Sequence, residues 1–126
     1  MHKFADPLSY LIEKHETYIT NIILSETMNS LQCLGGKRCK EIYDKILETN
    51  TLINIEDITL YNKSVELLCH YDASIGYSDC TTIEAMKKHY INHIVSYDSD
   101  FDKKEGIVRI YNFKDKNNKY ITNFEL

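Results

Sequence analysis

Short runs of β-branched and aromatic residues alternate along this chain with longer runs of helical spacing, and that alternation limits the fold more than any other feature. Thr17-Tyr18-Ile19-Thr20-Asn21-Ile22, Thr51-Leu52-Ile53-Asn54-Ile55, His93-Ile94-Val95-Ser96-Tyr97 and Ile107 to Ile110 read as strands. Between them, Ile23 to Leu34, Lys37 to Glu48, Asp57 to about Tyr71, and Asp79 to His89 read as helices. An earlier helix is predicted where Leu8, Leu11 and Ile12 fall at i, i+3 and i+4, with Asp6 before Pro7 as its N-cap. Strand and helix in repeated succession predict an α/β fold with a mostly parallel sheet covered on both faces. Gly35-Gly36 is placed to stop one helix, and Lys37 to Glu48 carries Ile42, Tyr43, Ile46 and Leu47 on one face, so the two form a helical hairpin. From Asn112 the chain turns polar, and Tyr120 to Phe124 reads as a last edge strand or a loose end.

At 126 residues the length suits one domain over 1–126, of which 112–126 is a tail. A formal net charge of -4 argues against a protein that coats nucleic acid nonspecifically. It leaves room for an acidic, cation-binding centre with basic residues around its rim. Cys33, Cys39, Cys69 and Cys80 contain no CxxC pair, and no early segment resembles a secretion signal, so a reducing cytoplasm is expected. No apolar run approaches the roughly 20 residues that span a bilayer, and no membrane association is expected. His2, His15, His70, His89 and His93 lack the i, i+4 pairing of a helical zinc site and read as surface or capping residues.

The chemistry-bearing residues are acids. Parallel α/β sheets bind ligands beyond the C-terminal ends of their strands. Glu26 follows the strand ending near Ile22 and is expected on the first turn of the next helix. Asp98 and Asp100 directly follow His93 to Tyr97. Asp79, after Ser78, opens a helix, which by itself is the ordinary place for a capping acid.

Three blocks combine into a more specific pattern: Ile22-Ile23-Leu24-Ser25-Glu26-Thr27, then Gly76 to Lys88 with Ser78-Asp79 and Met86, then Ile94-Val95-Ser96-Tyr97-Asp98-Ser99-Asp100-Phe101 before Gly106-Ile107. In order, spacing and residue type this resembles a PIN domain of the VapC toxin type, over nearly all of the chain except its tail. The resemblance implies a three-layer α/β/α sandwich. It also implies a metal-dependent endoribonuclease, the toxin of a type II toxin–antitoxin system, that cleaves RNA with carboxylate-bound Mg2+ or Mn2+. Glu26, Asp79 and Asp98 match the second, third and fourth acidic positions of that family, and Asp100 matches an accessory acid. Ser78 and Ser96 fall where the family has a small hydroxyl residue beside a carboxylate or bound water. Asp102 lies beyond the motif and reads as a solvated surface acid.

An RNA substrate, an antitoxin partner and a homodimer built on the early helices, including Lys37 to Glu48, are implied as well. The expectation is that Glu26, Asp79 and Asp98 meet in one pocket. One departure stands out. PIN domains open with a hydrophobic strand ending in Asp-Thr/Ser-Asn/Ser, and no such segment precedes the first predicted helix. The first strand and its aspartate are therefore expected to be missing. Either the chain starts at an internal Met of a longer toxin, which is favoured, or it is a degenerate relative. In the third option Tyr120 to Phe124 or a second copy fills the gap. The alternative function is a PIN-like module that binds an antitoxin or RNA without cleaving it.

Overall fold

A computed structural model describes residues 15–102, 104, 106–114, 116–117 and 120–122. The helix predicted at Leu8 to Ile12, with its Asp6 cap, lies outside the described residues. The chain divides into two compact units, Glu16–Tyr90 and Ile91–Leu126 with Met1–His15.

In the Glu16–Tyr90 unit, β1 (Tyr18–Thr20) pairs in parallel with β2 (Thr51–Ile53), Tyr18 opposite Thr51 and Thr20 opposite Ile53. The first strand is shorter than its composition suggests, for two local reasons. Thr20 turns its Oγ1 back to accept the N–H of Ile23 at 3.1 Å, which starts helix α1 (Asn21–Ser30) at once. Asn21 sends its side chain across to the chain beyond β2: Oδ1 accepts the Ile55 N–H at 2.8 Å and Nδ2 donates to the Ile55 carbonyl at 3.3 Å. An amide side chain thus stands in for a strand neighbour where the ladder has stopped. Ile22, β-branched but helical, packs against the core cluster of Ile55, Leu60 and Ala85, so burial overrides its strand preference.

The helix predicted as far as Leu34 breaks earlier. α1 ends at Ser30, and a 3-10 turn covers Gln32–Leu34. Gly35 follows at φ +82°, backbone that a side chain rarely adopts, and α2 (Gly36–Thr49) begins directly. Ile42, Ile46 and Leu47 of α2 are half-buried and Tyr43 is 38% exposed, so its apolar stripe is only partly covered. Ion pairs Arg38–Glu41 and Lys40–Asp44 lie on its solvated side.

α3 (Ile58–His70) is capped as predicted by Asp57, whose Oδ1 accepts the Thr59 N–H at 2.9 Å. It packs on α4 (Tyr77–Lys88), the most enclosed element of this unit. Cys80, Thr81, Ile83, Ala85 and Met86 of α4 are buried, with Leu60 and Ser64 of α3 and Ile75 of the connection. The buried Ser64 hydroxyl is satisfied by donating to the Leu60 carbonyl at 2.8 Å. Just past α4, Tyr90 holds φ +57° with 97% of its surface exposed. A bulky residue there carries left-handed strain of about 1 kcal/mol or more and recovers nothing by burial. Tyr90→Gly is expected to stabilise the fold by about 0.5–1 kcal/mol, seen as a higher urea midpoint; a lower midpoint would refute the strain.

In the second unit, β3 (His93–Val95) pairs in parallel with β4 (Val108–Ile110), His93 opposite Val108 and Val95 opposite Ile110. β3 stops short of the predicted end at Tyr97: Ser96 still donates its N–H to the Ile110 carbonyl at 3.1 Å, and the chain bends at Tyr97, where the Ser96 hydroxyl accepts the Asp98 N–H. Phe101, in a 3-10 turn over Ser99–Phe101, and Ile110 are the buried residues here among those described. β5 (Asn112–Lys114) and β6 (Tyr120–Thr122) form an antiparallel pair, so the tail strand has its partner within the tail. The other strand pairs, β1 with β2 and β3 with β4, are parallel, as the alternating pattern requires of an α/β fold. Among the described residues no helix is long and apolar enough to cross a membrane.

Candidate metal centre

The predicted acids fall in two groups, one in each unit. In the Glu16–Tyr90 unit Glu26 lies in the second turn of α1, not the first, because α1 starts at Asn21. Its exposed carboxylate receives a hydrogen bond through Oε2 from the Ser78 hydroxyl at 2.9 Å, across 52 residues of sequence. Ser78 and Asp79 are both half-buried on the first turn of α4. Asp79 is not the cap of this helix. Gly76 occupies the N-cap without a side-chain bond, and Asp79 sits within the first turn, where the helix dipole favours a negative charge. The Ser78 bond therefore brings Glu26 to the helix end that carries Asp79.

In the second unit the chain leaving β3 is folded back by short-range bonds. The Ser96 hydroxyl accepts the Asp98 N–H at 3.0 Å. Asp98 then caps the 3-10 turn, its Oδ1 accepting the Asp100 N–H at 2.9 Å. Asp98 and Asp100 are both exposed. Within either unit, among the described residues, no three His, Cys, Asp or Glu side chains gather closely enough to hold a metal ion. Each unit offers a pair of the predicted carboxylates with one hydroxyl: Glu26, Asp79 and Ser78, or Asp98, Asp100 and Ser96.

Arg109 was not among the residues singled out by the sequence. It donates from Nε and Nη2 to the two oxygens of Asp102 at 2.7 and 2.9 Å, and from Nη1 to the Ser96 carbonyl at 3.3 Å. Its guanidinium lies 4.0 Å from the centre of the Tyr111 ring. The hydrogen-bonded Asp102 carboxylate is the main cause that holds Arg109 above its ordinary pKa, and the charge of Asp98 adds to it. Asp102 is thus an arginine partner and not merely a solvated acid. The fork geometry would have been hard to find in the sequence, where only a seven-residue separation links the pair.

The profile of the PIN domain matches residues 1–107. The chain belongs to the PIN-domain family. PIN domains are generally nucleases, and its α/β fold with parallel strands is that of the family. A solved structure, a toxin–antitoxin complex from Klebsiella pneumoniae, superposes with a TM-score of 0.58 at 21% identity, covering 72% of this chain and 71% of that one. That likeness concerns the fold. No curated protein matches the chain in sequence.

PIN domains usually use divalent metal ions, and the donor chemistry here suits one. Carboxylate and hydroxyl oxygens are hard donors of the kind Mg2+ and Mn2+ prefer. The soft sulfur next to Asp79 is withdrawn, since Cys80 is fully buried.

Proposed function

We propose that this PIN domain is the ribonuclease toxin of a type II toxin–antitoxin pair, cleaving RNA phosphodiester bonds with Mg2+ or Mn2+ held by Glu26, Asp79, Asp98 and Asp100. The observation that carries the reading is the Ser78–Glu26 hydrogen bond, which draws a carboxylate from α1 to the first turn of α4 beside Asp79. The dipole of α4 favours negative charge at its first turn, but two carboxylates drawn to one helix end also repel each other, and a bound cation would offset that repulsion. A bound divalent cation supplies Lewis acidity toward a phosphate oxygen and a water molecule. The chain's own contribution is orientation: Ser78 fixes one oxygen of Glu26, and Ser96 receives the Asp98 amide, so that the Asp98 carboxylate leaves the strand end in one direction.

The fold likeness to a toxin–antitoxin complex supports an antitoxin as the protein partner. A homodimer through the partly uncovered stripe of α2 belongs to the same reading, and a monomeric mass in sedimentation equilibrium at high protein concentration would remove it. Free thiols at Cys33, Cys39 and Cys69 suit a reducing cytoplasm, where we place the protein.

The test is a cleavage assay on labelled single-stranded RNA with the purified chain, alongside calorimetric titration with Mn2+. Cleavage that needs Mg2+ or Mn2+ and stops with chelator is expected. Mn2+ binding without cleavage would turn the reading to a module that binds RNA or antitoxin, and neither binding nor cleavage would end the metal assignment.

A further inference from the structure

The loop from Ser96 to Asp102 carries two of the proposed cation ligands, and both of its ends are held by a single side chain. Arg109 projects from β4, opposite Ile94 in the parallel register. One edge of its guanidinium binds both oxygens of Asp102 at the loop's exit, and Nη1 reaches the Ser96 carbonyl at the loop's entrance. The ring of Tyr111 backs the guanidinium at 4.0 Å. The Arg109 side chain is only 10% exposed, against 46% for Asp102, so the fork works from beneath a loop whose acids are exposed to solvent. Between the two grips, Ser96 fixes the Asp98 amide and Asp98 fixes the Asp100 amide. Arg109 also lies beyond the residues that match the family.

We propose that Arg109 is a positioning residue: by clamping Ser96 and Asp102 together it sets the spacing of the Asp98 and Asp100 carboxylates and thereby their grip on a divalent cation. This rests on the metal-dependent reading above. Charge and geometry make opposite demands, which gives the proposal a sign. A cation near Asp98 repels an incoming metal ion, so loss of the arginine charge alone would strengthen metal binding. Loss of the clamp would weaken it, because ligands that must be ordered on binding bind less tightly.

The experiment uses the full chain and its Arg109→Gln, Arg109→Lys and Asp102→Asn variants, with Mn2+ alone as the probe. Calorimetry reads affinity, and hydrogen exchange followed by mass spectrometry reads the 96–102 segment without metal. Arg109→Lys keeps the charge and loses the fork. The expected result is faster exchange over 96–102 in all three variants, unchanged exchange over 16–90, and Mn2+ affinity lower by about 10-fold or more in Arg109→Lys, which keeps the repelling charge, and lower by a smaller factor in Arg109→Gln. Exchange equal to that of the parent chain would overturn the clamp. Faster exchange with unchanged or tighter Mn2+ binding would overturn the positioning role. If the parent chain binds no Mn2+, the metal reading and with it the positioning role fall, while the exchange data still decide whether the clamp exists.

Discussion

Asp79→Asn and Asp98→Asn are each expected to lower Mg2+- or Mn2+-dependent RNA cleavage by about 100- to 1000-fold, the scale of losing one fixed electrostatic contact to a developing charge. Asparagine keeps the shape and one acceptor oxygen, so the Asp98→Asn side chain can still receive the Asp100 amide that Asp98 Oδ1 receives now. Folding should therefore survive, and removing one of two neighbouring negative charges relieves repulsion. Circular dichroism and the urea midpoint check that part. The double variant carries the sharper information. If both aspartates serve the same cation, the pair should lose little more than the worse single change, because residues that act as a unit are not additive. Losses that multiply would show two independent contributions, and cleavage at the parent rate in both single variants would remove these residues from the site altogether.

A second large effect is expected from the interior. Ile83 is 2% exposed on α4, one turn past Asp79, within the helix that anchors the Glu16–Tyr90 unit. Ile83→Ala should cost about 2–5 kcal/mol through lost burial and the cavity it leaves, and Ile83→Val about 0.5–1.5 kcal/mol. Against a typical total of about 5–15 kcal/mol, the alanine change removes a large share of the stability. Chemical denaturation followed by far-ultraviolet circular dichroism measures both. A loss under about 1 kcal/mol for Ile83→Ala, far below the range for a buried isoleucine, would mean that α4 is not the centre of its unit. Because Ser78 and Asp79 ride on the same helix, a partly destabilised Ile83→Val chain also asks whether α4 must be firmly seated for the acids to function.

The sequence made the α/β class legible, because runs of period two and period 3.6 stay distinct from Thr17 onward. α2 lies within one residue of its predicted ends, and the Asp57 cap stands where a side-chain acceptor before an apolar run is expected. Boundaries failed where a side chain outside the periodic pattern made the decision. Thr20 and Asn21 look like strand residues by composition, yet their polar groups serve a helix start and the Ile55 backbone, which shifts Glu26 by a turn. Gly35-Gly36 was correctly placed as a break, but α1 had already ended at Ser30, before the chain reaches the positive φ of Gly35. The candidate acids stand out in the sequence through their motif, and their role in binding a cation is a proposal. What was not legible is the support under them: Ser78 to Glu26 spans 52 residues, and Arg109 reaches both Ser96 and Asp102, contacts that leave no period in the sequence.

α1 carries Glu26, yet it buries none of its own residues and is held mainly at its start, by the Thr20 cap, by the two bonds of Asn21 to the Ile55 backbone and by the packing of Ile22, with one exposed bond from Ser78 further along. Such a helix detaches far more readily than the α3–α4 hairpin of the same unit. On the proposed reading, the carboxylate supplied by α1 would be a removable ligand, and warming or mild denaturant should silence its share of the binding while most of the unit is still intact. Occupancy by a cation would draw the same helix down, making α1 the place where a bound ion registers in the motion of the protein.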